Sequence, residues 1–125
     1  MPAWQMWLGV FVAGGVGASL RVALASVLDG RAPRLPAGTL VVNLLGCLAI
    51  GVVAAMVPRG PWRTIAIGGL LGGFTTYSSF ALLTWELARS DRMLAALLQI
   101  AGHVVGGLLA VAAGLWIGAA LTRAP

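Results

Sequence analysis

The stretch GGFTTYSSF, residues 72–80, places hydroxyls and aromatic rings inside a long apolar run. Thr75, Thr76, Ser78 and Ser79 supply the hydroxyls; Tyr77 and Phe80 supply rings three positions apart, which share one face wherever the segment is helical. Other apolar runs carry an amide, Asn43, a guanidinium, Arg21, and the pair Gln99 and His103, four residues apart. None of this suits catalysis. No nucleophile stands with a base, and GGLLGG at 68–73 is followed by no Lys, so it is not a phosphate loop. A single His without a nearby carboxylate argues against a side-chain metal site. Ion passage suits these groups better. Neutral donors and the positive edges of rings can strip water from a small anion without holding it too tightly to leave. Carbonyls released from a broken helix would suit a small cation instead.

The elements that must position these groups are membrane spans. Of 125 residues, 60% are hydrophobic and 9% charged, far too apolar for a soluble domain of this length. The fold class read from this is an all-α integral membrane protein. Four runs long enough to cross a bilayer appear, at about 3–28, 37–57, 64–88 and 93–121, forming a single membrane domain over 1–125. Pro33, Pro36, Pro58 and Pro61 punctuate the connections. No cleavable leader is expected. Cys47, alone, has no partner for an internal disulfide and reads as a small buried hydrophobe. All eight basic residues are arginines, scattered at the ends of the spans. That distribution anchors a protein at lipid headgroups and argues against nucleic acid.

Four-residue stripes run along three spans: Gly102, Gly106, Ala110, Gly114 and Gly118, all small; Thr39, Asn43, Cys47, Gly51 and Ala55, with two polar members; and Ala13 and Gly17 in line with Arg21. Such stripes let helix backbones approach closely. Each buried polar group needs a reason in hydrocarbon. Arg21 reads as a snorkelling side chain or a structural hydrogen bond to a loop. Asn43 reads either as an interhelical hydrogen bond or as a pore contact. His103 reads as a packing histidine or a proton relay. In the third span, Gly68, Gly69, Gly72 and Gly73 precede the hydroxyl-rich stretch, whose residues compete for backbone hydrogen bonds, so the helix is expected to break near mid-membrane. Irregular backbone at that depth is tolerated where it is buried or lines a watery path.

Even-numbered spans put both termini on one side. Arg59, Arg63 and Arg123 on that side face Arg31, Arg34, Arg89 and Arg92 on the other, less Asp29 and Asp91. The near balance sets no clear orientation, which fits either a protein that inserts both ways round or chance scatter of the arginines. Four short helices enclose a pore poorly, so an oligomer is expected.

These motifs carry a resemblance. GGFTTYSSF resembles the third-span signature GG-x-TTFSTF of the fluoride channel family (Fluc, also called CrcB). GTLVVNLLGCLAIG, residues 38–51, resembles its second-span GTL-x-VN-x-x-G, and GGVGASLR, residues 14–21, its first-span GG-x-x-G-x-x-x-R. The resemblance implies an antiparallel, dual-topology homodimer with two pores in the bacterial cytoplasmic (inner) membrane, exporting fluoride passively. It implies that Asn43, Tyr77, Phe80, Ser78 and Ser79 line the pore. It further implies that the carbonyls of Gly72 and Thr75 hold a structural sodium ion at the dimer interface, with Arg21 and Gly46 as structural positions. A buried cation would lower the electrostatic cost of bringing an anion to the bilayer centre.

The chain departs from the family pattern at several places. Tyr77 replaces the usual Phe, Cys47 and Leu48 replace common Ser or Ala and Phe, and His103 and Gly107 stand where Asn and Ser are frequent. Glu86 lies one turn beyond the expected glutamate. Two other classes compete. A small multidrug exporter needs a membrane-embedded carboxylate in its first span, where this chain has Arg21 as the charged group. A non-transporting assembly subunit would use the glycine stripes but leaves the polar stretch of the third span without a purpose.

Overall fold

The structure, a computed structural model, describes residues 1–31 and 37–123, with Arg31 described in its backbone alone. Pro33, Arg34 and Pro36, which enter the loop reading above, lie outside the described residues. Most of the described residues are helical: α1 is Ala3–Arg31, α2 is Gly38–Met56, α3 covers 61–74, α4 is Tyr77–Arg89 and α5 is Met93–Arg123. Four helical stretches are long and apolar enough to cross a membrane, α3 and α4 together forming the third. A helix satisfies its own backbone polar groups, which is why such runs adopt it in lipid.

Sequence explains the ends. Pro61 begins α3, where its missing amide is no loss, after Gly60 at φ 155°, a conformation open to glycine. The first amide of α2, on Gly38, donates to Asp29 Oδ1 at 2.8 Å, so a carboxylate near the end of α1 caps the next helix. Arg63 donates to the carbonyls of Ala54 and Val57, both at 3.1 Å, and closes the far end of α2. Between α4 and α5 the chain reverses through Asp91 at φ 56°, and the Arg92 amide returns to the Leu87 carbonyl at 3.0 Å.

The helices pack as two close pairs. On α5, a Cβ added at Gly114 would strike the Leu48 carbonyl, and one added at Gly51 on α2 would strike the Val111 carbonyl. The four-residue stripe of α5 therefore runs along α2, backbone to backbone. The second pair is α1 with α3: Gly17 abuts the Leu70 carbonyl and Gly73 abuts the Gly14 carbonyl. The apolar core of one chain is small, comprising Val42, Leu71, Leu87 and Ala96, and no described polar or charged side chain is buried. Large apolar side chains point outward instead; Phe11 is 78% and Trp116 74% exposed. That inversion suits a surface solvated by lipid or by a second chain.

Two stretches wind wide, as π-helix: Ile65–Leu71 in α3 and Gly102–Gly106 in α5. The Gly72 amide, for instance, reaches back to the Ile67 carbonyl, five residues earlier. Wide turns of this kind concentrate at functional sites, and both border the cleft described next.

Candidate functional site: a cleft at the Thr75–Thr76 step

Between α3 and α4 the backbone leaves the helical path for two residues. Thr75 (φ −86°, ψ 158°) and Thr76 (φ −150°, ψ 114°) are extended. A single side chain from α2 takes up the amide and carbonyl of Thr76. Asn43 Nδ2 donates to the Thr76 carbonyl at 2.9 Å, and the Thr76 amide donates to Asn43 Oδ1 at 2.8 Å. The amide side chain thus stands in for a neighbouring peptide group. Gly46, one turn along α2, is buried; a Cβ there would collide with Thr75 Cγ2, so its lack of side chain makes room for the step.

Other groups tie down both sides of the step. Arg21 Nε, from α1, donates to the Gly73 carbonyl at 3.1 Å. The contact runs from helix to helix, Gly73 lying near the end of α3, whereas from sequence Arg21 reads as snorkelling or bonding to a loop. The Thr75 amide and hydroxyl both donate to the Leu71 carbonyl, each at 2.9 Å. On the α4 side Thr76 is the N-cap: its Oγ1 accepts from the Ser79 amide at 3.2 Å and donates to Ser79 Oγ at 3.1 Å, with Ser78 Oγ 3.2 Å away. The hydroxyls therefore organise the start of a helix. Its positive dipole end faces the step.

The step borders a cleft of about 360 Å³. Asn43, Gly46 and Cys47 of α2, Gly72, Thr75, Thr76, Tyr77 and Phe80 around the step, and His103 of α5 supply its lining, with Ile50, Ile67, Leu71 and Val104 as apolar wall. Among the described residues, no charged side chain lines it. Tyr77 and Phe80 meet edge to face, with ring centroids 5.6 Å apart at 68°. Tyr77 is 79% exposed, so a single chain leaves this side of the cleft open. Of the residues singled out from sequence, Asn43, Tyr77, Phe80, Gly72, Thr75 and Gly46 share the cleft; Ser78 and Ser79 sit in the hydroxyl cluster beside it, and Arg21 supports it from α1.

His103 and Cys47 belong to the same cleft; from sequence His103 is a packing histidine or a proton relay, and Cys47 a small buried hydrophobe. The His103 ring stacks on Phe80, centroids 4.1 Å apart and planes inclined by 27°. Its Nδ1 lies 2.9 Å from the main-chain carbonyl of Gln99. The only available hint was the i, i+4 spacing of the two residues, which brings the ring to that carbonyl.

Geometry and composition together define a small polytopic membrane protein whose neutral polar groups gather around a non-helical step. Its sequence places it more narrowly. The chain belongs to the CrcB-like protein, Camphor Resistance (CrcB) family, whose sequence profile matches residues 8–115. Relatives named fluoride-specific ion channel FluC include a protein of Paracoccus denitrificans, 41% identical over 92% of this chain and 95% of its own length. Another, from Erwinia tasmaniensis, is 39% identical over 88% of this chain and 92% of its own length. A third, from Escherichia coli O1:K1 / APEC, is 37% identical over 86% and 90% respectively.

Proposed function

We propose that this protein is a fluoride-selective channel, not an enzyme, which lets fluoride leave the cytoplasm passively and so lowers its concentration there. The observation that carries the reading is the cleft around the Thr75–Thr76 step: donors and ring edges without a fixed charge, held open by Asn43. The names of the relatives over nearly the whole chain support fluoride as the ion.

Each group has a task in this reading. Asn43 spends one Nδ2 hydrogen on Thr76 and keeps its second for a passing anion. Phe80 and Tyr77 offer ring edges, which attract an anion weakly enough for release. Ser78 and Ser79 supply hydroxyls at the mouth of the step. Apolar walls exclude bulk water, so partial charges act at low dielectric.

The functional unit is an antiparallel homodimer of dual topology, with two pores, in the bacterial inner membrane. The balanced arginines and the open, Tyr77-bearing side of the cleft support a second subunit as its other wall. In that unit the third span is broken at mid-membrane, and the Gly72 and Thr75 carbonyls hold a sodium ion. The donors fit such an ion: the Thr76 amide is engaged by Asn43, so the Gly72 carbonyl does not receive it, and carbonyl oxygens suit a hard cation. When bound, sodium supplies positive charge near the anion's path and drives nothing. Membrane lipids surround the apolar exterior.

Expression in a bacterium deprived of its own fluoride exporter tests the function. Growth in fluoride medium restored by this chain is the expected result. Undiminished sensitivity, with the protein present in the membrane, contradicts it.

A further inference from the structure

The cleft holds a titratable ring that the reading above leaves without a task. His103 Nδ1 lies against the Gln99 carbonyl, which can only accept, so Nδ1 is the donor. In the neutral ring the lone pair then resides on Nε2, which is buried and has no hydrogen-bond partner among the described residues. A buried acceptor left unmet is unfavourable, and a ring kept only to fill space needs no such nitrogen. The ring also lies face to face with Phe80, while Tyr77 approaches Phe80 edge to face from α4. Phe80 is thus fixed between two partners, and His103 is the one able to change charge.

We propose that His103 is a positioning residue for Phe80 whose protonation tunes how strongly the Phe80 edge attracts the anion. This rests on the channel reading. A neutral imidazole stacked on the ring fixes its orientation. A proton on Nε2 converts the stack into a cation over a π-face, drawing electron density toward His103 and leaving the opposite edge hydrogens more positive. The added charge also attracts an anion directly across an apolar cleft. Among the described residues, the titratable groups that line the cleft with His103 are Cys47 from α2 and Tyr77 from α4; the α3 lining, Ile67, Leu71 and Gly72, brings none, and no charged side chain is part of it.

The test is fluoride flux into vesicles holding the full-length protein, with the half-saturating fluoride concentration measured near pH 6 and near pH 8. Flux of protein-free vesicles is subtracted to remove passage of hydrogen fluoride. Half-saturation is expected about fivefold lower at the acidic pH, the scale of one cation–π contact. His103→Phe, which keeps a stacked ring without a proton, is expected to remove that ratio; His103→Gln serves the same purpose should the larger ring disturb assembly. Equal half-saturation at both pH values in the unaltered protein overturns the inference, as does a ratio that persists in either variant. No fluoride flux at either pH overturns the channel reading itself.

Discussion

Asn43 and Thr76 exchange two hydrogen bonds, the side-chain amide of one with the main chain of the other, at 2.9 and 2.8 Å. A residue on α2 thereby completes the backbone of the third span where that span leaves the helical path. Extended geometry at Thr75 and Thr76 would otherwise strand a carbonyl and an amide in a membrane, at several kcal/mol each.

Asn43→Asp keeps the acceptor for the Thr76 amide but replaces the donor with a carboxylate facing a carbonyl. Fluoride flux is expected to fall by at least about tenfold, since the anion meets a like charge on its route. Thermal unfolding in detergent is expected to show a loss of about 1–3 kcal/mol. Unchanged flux would remove Asn43 from the pore.

Phe80→Ala removes both the ring edge and the platform on which His103 rests. Flux is expected to drop by about tenfold or more, one or two weak ring contacts' worth of stabilisation. Phe80→Leu, which refills the volume without a π-face, separates ring chemistry from packing. Normal flux in the leucine variant would sink the edge-donor role.

The α2–α5 seam is a question of stability. Gly114→Ala places a methyl against the Leu48 carbonyl, and backbone cannot yield as a flexible side chain can. A loss of about 1–3 kcal/mol is expected in detergent unfolding. Gly15→Ala is the control, since a Cβ there meets nothing within 4 Å. Equal stability of the two variants would contradict the packing described.

Much of this architecture was legible because it is written in local chemistry. The four apolar runs are four helical stretches long and apolar enough to cross a membrane, and the glycine stripe from Gly102 to Gly118 lies against α2. The sequence marks the whole hydroxyl-rich stretch, residues 75–79, without resolving it further; in the structure Thr75 and Thr76 are extended and helix resumes at Tyr77. What sequence withheld depends on how helices are rotated and stacked. Nothing local tells that Arg21 reaches Gly73, 52 residues on, or that Asn43 chooses Thr76, 33 residues on. The wide turns at Ile65–Leu71 and Gly102–Gly106 have no clear signature. His103 shows the difference well: its i, i+4 spacing led to Gln99, but its stack on Phe80 exists only once α4 and α5 are side by side.

Orientation is testable through charge. Several Lys added to the loop around Arg59 are expected to bias every chain to one orientation and reduce functional dimers. Co-expression with a chain carrying Lys after Asp91 should restore flux. Full activity of the first variant alone, at equal dimer yield, would contradict the antiparallel arrangement.

The sodium ion proposed at the Gly72 and Thr75 carbonyls has a readout besides flux. Replacing sodium by a bulky organic cation is expected to lower the unfolding temperature of the dimer by a few degrees, as loss of a native-state ligand does. An unfolding temperature indifferent to sodium would contradict that site.

The central claim is selective passive conduction, and anion efflux from liposomes tests it most directly. Purified protein is reconstituted, a potassium diffusion potential is imposed, and fluoride and chloride release are followed in parallel. Rapid fluoride loss with negligible chloride loss is the result predicted by a cleft of neutral donors and ring edges. No fluoride loss from dimeric, correctly inserted protein, or equal loss of both anions, would contradict it.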